Sequence, residues 1–355
     1  MILTRSPYYK NVTWRRPSDN AVCDSFTLNI YIYEGAITAA PTTATYSITK
    51  ENIQNLTTGD TKIDIARLVD DFIDPQLITQ TDTGLYQSKA TVWVKTEVVY
   101  DVSGDTSTEL IETDYAIRGY GKGSEGENYQ LDKPILSDVS EVDAYKESIV
   151  MLPIEKVNDF SSRPTEIPDI TILSYPNGTL STTIDATGSS DNDDIVSILV
   201  VNANDATGEE YIDITYAGDT FTIYLRDEYR FNPIDVQFSN RYGSSQTLTF
   251  FKERKDSTSV DGSQYERSFG QPIDGVHQFQ KYNVNGRSKF TAQTGFIYEE
   301  SNELVRQLLM SENVWVDGLP VNVTTNDIQL QNSKNDKLVN YLIDFEYSFN
   351  EIHTV

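Results

Sequence analysis

A single cysteine, Cys23, serves the whole chain, so no intrachain disulfide can staple it. Histidine is nearly as scarce, with His277 and His353 the only two. A Ser-His-Asp or Cys-His relay needs a held imidazole and an orienting carboxylate. His353 falls at the very end, so only His277 could serve, and no G-x-S-x-G elbow accompanies it. The same shortage excludes zinc sites unless carboxylates supply nearly every ligand. Long apolar runs are missing too. The longest aliphatic stretch, residues 195–201, suits a buried strand and falls far short of a membrane span. Residues 1–10 hold no apolar segment, so no secretory signal is expected and synthesis in a cytoplasm is. Without such a signal, the sequons at Asn11, Asn55, Asn177 and Asn322 mean only Asn- and Thr-rich loops.

Basic charge is short as well. Twenty-eight Lys and Arg face 54 Asp and Glu, a net charge of -26. A field of that sign repels phosphate backbones, which excludes tight general nucleic-acid binding. A channel through which DNA slides without sticking is compatible with it, and plain solubility is the simpler explanation. Tyrosine, by contrast, is abundant, at 22 residues against 14 Phe and 3 Trp. It offers contact area with a polar end, as interfaces use, although short strands also favour aromatics. A chain of 355 residues exceeds one comfortable core, so two or three domains are expected.

Residues 1–133 read as a β-rich domain. Phe26, Leu28, Ile30 and Ile32 alternate with polar neighbours, a strand period. Ile65, Leu68, Val69, Phe72 and Ile73 lie on one helical face, which predicts a short helix over 65–73, capped by Asp64 and stopped by Pro75. A long hairpin is predicted from strands 89–100 and 110–118, with its turn near Gly104. Residues 134–168, punctuated by Pro134, Pro153, Pro164 and Pro168, read as a linker or extended connector. Residues 169–252 predict seven short strands, at 169–174, 179–185, 195–202, 209–216, 220–226, 234–239 and 246–252. Turn-forming residues separate them, which fits an immunoglobulin- or fibronectin-like sandwich. Residues 253–355 read as a second β-rich domain with a helix over 301–310 and a final alternating strand through Val339, Tyr341, Ile343, Phe345, Tyr347 and Phe349. The fold class expected is therefore mainly β and multi-domain, a central sandwich flanked by β-rich domains with one short helix each.

Motifs with chemical meaning are weak. Gly121, Gly123 and Gly126 match G-x-G-x-x-G. The segment after these glycines carries Pro134 and no helical period, and Glu125 and Glu127 stand where a pyrophosphate would need positive potential. An exposed hairpin end is the better reading. Asp191-Asn192-Asp193-Asp194 resembles the start of a calcium loop but lacks its glycine and closing Glu, so a solvated turn is expected. Asp70, Asp71 and Asp74 crowd a helix end, with Arg67 as the local partner. Paired carboxylates for glycoside chemistry cannot be read from spacing, since 54 acids guarantee chance pairs. No catalytic residue, cofactor or metal is expected.

Three segments carry a resemblance: "SPYYKNVTW" (6–14), "FSNRYGSSQTLTFFK" (238–252) and "NDKLVNYLIDFEYSFN" (335–350). They resemble segments of virion structural proteins of tailed phages of Bacteroidetes hosts, crAss-like phages included. The resemblance implies a non-enzymatic component of a head-to-tail ring, tail hub or baseplate. It implies a cyclic homo-oligomer, often of twelve subunits, meeting other neck or tail proteins in the virion. DNA would pass nearby without specific binding, and no membrane is involved. Beside it, the basic and aromatic start, with Arg5, Tyr8, Tyr9, Trp14, Arg15 and Arg16, reads as a docking arm for an acidic patch on a neighbour, or as a first strand with a Trp anchor. A glycan-binding adhesin or tail-fibre module and a carbohydrate-active enzyme are the alternatives.

Overall fold

The computed structural model describes the chain except residues 54–55, 89, 131–132, 157–167, 187–194, 268–276, 331–337 and 353–355. The fold is mainly β, with 51% in strands and 7% helical, so packing between sheets carries its stability.

The first sheet has the order Ile2–Leu3, Asp105–Ile117, Thr91–Val102, Ser25–Tyr33, Tyr46–Glu51. Its alternation is the one the sequence predicts: Phe26, Leu28 and Ile30 point inward and are fully buried. They meet Trp14, Val12, Ile63 and Val69, brought by the ladder of Tyr9–Thr13 with Asp60–Asp64 and by the helix Ala66–Asp70. The hairpin turn uses Ser103 and Gly104, both at positive φ, as a two-residue turn requires. The helix is shorter than the predicted 65–73. Ile65, not Asp64, is the cap residue, although the Asp64 carboxylate accepts the Ala66 N–H at 3.1 Å. Phe72 turns outward, so only part of the predicted apolar stripe is used.

All seven strands predicted between 169 and 252 are present, but they divide among three sheets. Ser181–Ile184, Ile170–Tyr175, Tyr211–Tyr216 and Asp219–Arg226 lie in that order in a five-stranded sheet. Its last member is Glu141–Tyr145, parallel to Asp219–Arg226. Val196–Asn202 sits in a three-stranded sheet between Ile149–Glu155 and Gly84–Gln87. Ile234–Ser239 and Ser245–Phe250 instead open a seven-stranded sheet, followed by Val314–Val316, Leu319–Val323, Leu342–Tyr347, Phe279–Gln293 and Lys255–Glu266. Val236 pairs with Val316 and Phe238 with Val314, which ties Ile234–Ser239 to the C-terminal strands.

The stretch expected as a connector, 134–168, needs correction over its described part. Glu141–Tyr145 and Ile149–Glu155 are strands with deeply buried Val142, Leu152 and Ile154. Pro153 is what suggested a connector. It lies in an edge strand, where the missing N–H deprives no ladder partner. The five-stranded, three-stranded and seven-stranded sheets also share one continuous core. Ile212, Phe221 and Leu199 belong to the same cluster as Phe238, Phe250 and Phe345. The helix Asn302–Met310 closes that core with Leu304, Val305 and Leu308, near its predicted place. The predicted final strand is broken into Leu338–Val339 and Leu342–Tyr347. The longer piece is interior, between Leu319–Val323 and Phe279–Gln293.

Candidate interaction surfaces

The six N-terminal residues do not form a free arm. Residues Ile2–Leu3 pair with Asp105–Ile117, and Tyr9–Thr13 pair with Asp60–Asp64, so the segment is stitched into the first domain. Arg5 is ion-paired with Glu312 at 3.2 Å. Tyr8 is buried and donates its hydroxyl to Asp114 at 3.2 Å, and burial pushes its pKa well up. Tyr9 lies under Lys62, 5.6 Å from the ring centre. Trp14 is buried against Phe26, with ring centres 4.8 Å apart. Arg15 donates to the carbonyls of Thr57 and Asn20. Arg16 bridges Asp19 at 2.5 Å and Asp105 at 2.8 Å. Arg5 and Arg16 find their acids in the same chain, and Arg15 is held by backbone carbonyls. The sequence shows the residue types, but the partners lie up to 307 positions away, as Arg5 and Glu312 show.

The glycine-rich loop has a structural explanation. A Cβ on Gly119 would stand 2.7 Å from the carbonyl oxygen of Arg241. One on Gly243 would stand 2.6 Å from that of Arg118. The two loops thus pack backbone against backbone, and the Tyr120 N–H donates to the Arg241 carbonyl at 2.7 Å. Around them, the Arg241 side chain, 3% exposed, reaches Glu125 at 3.0 Å and Asp138 at 3.3 Å. Asp138 also accepts from Gln307 at 3.0 Å and from the Tyr242 hydroxyl, and Lys122 contacts it at 3.6 Å. The loop therefore fastens the end of the strand Asp105–Ile117 to the helix Asn302–Met310.

The acids beside the cleft that borders Asp235 are engaged in hydrogen bonds and ion pairs. His277 is exposed, while His353 and Asp191–Asp194 lie outside the described residues. Among the described residues, no three metal-type side chains gather. Asp235 borders a cleft of about 440 Å³ lined also by Met151, Trp315 and Asp317. Burial raises its pKa, yet its carboxylate accepts from Ser148 and Thr249 hydroxyls, each at 2.7 Å, and from the Ile149 N–H at 3.1 Å. Asp317 is ion-paired with Arg254 at 3.3 Å.

Two surfaces stand out instead. On the outer face of the five-stranded sheet, Tyr175, Tyr211 and Tyr224 occupy one register. Alternation explains this: Ile212 and Ile214 point into the core, so Tyr211 and Asp213 point out. Tyr175 and Tyr211 stack with centres 4.9 Å apart and an interplanar angle of 17°. Tyr211 to Tyr224 is 6.2 Å and Tyr224 to Tyr298 is 5.7 Å. Arg226 covers Tyr298 and binds Asp143 at 2.7 Å. Asp143 pairs in register with Tyr224, and burial pushes its pKa up to about 6 despite that cation.

The second surface is the hairpin of Lys255–Glu266 and Phe279–Gln293. Only Lys289–Gln293 of its longer strand pairs with Leu342–Tyr347. Beyond that base, Asn285 is held by Ile352 of the C-terminal segment. The outer part exposes Val260 (59%), Phe279 (55%) and Tyr282 (46%). Tyr282 contacts Tyr265 at 5.8 Å. A bulge between Asp261 and Ser263, with Asn283 at positive φ, adds twist there. Exposure of apolar side chains on both strands is visible only in the fold. No protein-family model matches this chain, and neither does any curated protein or solved structure.

Proposed function

We propose that this chain is a non-enzymatic structural subunit of a tailed-phage virion, assembling as a ring in the head-to-tail connector or tail around the DNA channel. The projecting hairpin carries this reading. Two strands of 12 and 15 residues extend past their sheet and hold large apolar side chains in water, which suits a contact with another chain. The net charge of -26 suits a lumen past which DNA slides, and linear duplex DNA is expected to show no retarded band with the protein.

As the scaffold behind this reading we propose an immunoglobulin-like sandwich over 141–226, in place of the 169–252 expected from the sequence. Ile149–Glu155 and Val196–Asn202 take the positions of strands B and E in one sheet. Ser181–Ile184, Ile170–Tyr175, Tyr211–Tyr216 and Asp219–Arg226 take the C′-C-F-G order in the other. Such domains recur as rigid holders of interaction surfaces.

Native mass spectrometry and negative-stain imaging of the purified protein test the function. A discrete high-order ring, or incorporation into purified particles, is the expected result. A lone monomer that is also absent from particles would overturn it. The tyrosine row favours one second reading, a glycan-binding module. Its rings stack on one another and present edges more than open faces, so it ranks second, and binding on a glycan array would promote it.

A further inference from the structure

A ring of identical subunits needs two different surfaces on each chain, because only a head-to-tail contact repeats around an axis. The chain carries two surfaces of opposite character. Resting on the ring reading, we infer that the hairpin arm of one copy lies across the tyrosine-bearing face of the five-stranded sheet of the next.

Charge argues for this occupant. Residues 255–293, the arm, hold five Lys and Arg against four Asp and Glu, a net +1. Residues 141–226, the sandwich, hold four Lys and Arg against sixteen acids, a net -12. The arm is thus a locally basic element on a chain of net charge -26. Two of its cations, Arg267 and Lys281, have no acidic partner within ion-pair distance among the described residues. Arg267 lies on the face of the ribbon that carries Tyr265 and Tyr282, and Lys281 on the other face with Phe279. On the opposite surface, Glu141 and Asp213 stand on the outward side of the sheet beside Tyr211 and Tyr224. Aromatic edges beside carboxylates match an arm whose every face sets an exposed aromatic beside a cation, so area and charge agree.

Geometry permits the contact. The strand segment 279–284 extends beyond the last residues braced by the C-terminal segment, about 20 Å of strand at ~3.3 Å per residue. The row from Tyr175 to Asp143 crosses four strands, three spacings of ~4.8 Å or about 14 Å, which that length covers. The arm does not have to unfold any of its own core to reach it, since its outer residues belong to none of the buried clusters.

Mixed cross-linking tests the inference. One preparation carries Tyr282→Cys and a second carries Tyr211→Cys, both with the buried Cys23 replaced by alanine. A short bismaleimide is added to each alone and to the mixture. A cross-linked dimer in the mixture, absent from either preparation alone, is the expected result. In parallel, Arg267→Glu with Lys281→Glu should raise the concentration needed for assembly roughly tenfold, and Glu141→Lys with Asp213→Lys should restore it. Circular dichroism checks that each variant is folded. Rings that form without the mixed cross-link, and that tolerate the charge reversal, overturn this contact while the ring reading stands. A monomer at every concentration overturns both.

Discussion

Asp143 has one nearby cation, Arg226, and a side chain only 1% exposed, so burial outweighs attraction and its folded pKa rises from 3.8 to about 6. The folded state therefore binds this proton more tightly than the unfolded chain. The contribution to stability is fully present below the unfolded value and is lost as pH rises through about 6. Between pH 7.5 and pH 5, wild type should gain roughly 1–1.5 kcal/mol relative to Asp143→Asn, read from urea unfolding at both values. A difference that stays constant with pH would show that Asp143 does not titrate in this window. Gly243 gives a second residue-scale test. With φ at +72° and the Arg118 backbone against it, an added methyl has nowhere to go. Gly243→Ala should destabilise the fold by about 2–4 kcal/mol in the same assay, whereas Gly123→Ala, which meets open space, should be near neutral. The glycine-rich loop was legible in the sequence as a loop. Its purpose was not, because the backbone that presses on Gly119 belongs to Arg241 and Tyr242, more than 100 positions on.

Strands were more legible than their sheets. Alternation at Phe26, Leu28 and Ile30 announces a half-buried strand, and the structure uses that face. A strand buried on both faces carries no such address. Ser245–Phe250 is buried at every position, so its pattern cannot say whether it joins the five-stranded sheet or the seven-stranded one. The connector reading failed for a related reason, since proline marks loops and edge strands alike. The exposed hairpin was not legible beyond a β-rich region at 253–355, for exposure is a property of what lies opposite a strand. Its independence from the core is testable. Replacing residues 262–284 with Asn-Gly keeps the pair Asp261 and Asn285 at the closing position of a two-residue turn. The shortened chain should melt within about 2 °C of wild type, because no buried cluster is touched, and should fail to form rings in native mass spectrometry. A fall in melting temperature of about 10 °C would mean that the arm braces its own sheet.

At the scale of the whole molecule, charge works against assembly even where local contacts favour it. Each copy bears -26, and bringing copies together sets those fields against one another. The repulsion acts over tens of ångströms at about 0.01 M salt, where the screening length is ~30 Å, and is mostly screened at about 0.15 M, where it is ~8 Å. Contacts such as an arm cation beside a sheet carboxylate act at a few ångströms and survive that change. The two ranges give a definite sign. Raising salt from about 0.01 to about 0.15 M should increase the ring fraction seen by sedimentation velocity, even though the contacts themselves include opposite charges. If rings are instead most abundant at the lowest salt, attraction between arm and sheet must exceed the repulsion of the whole subunits. The -12 carried by residues 141–226 would then have to lie mainly on the face that the arm covers.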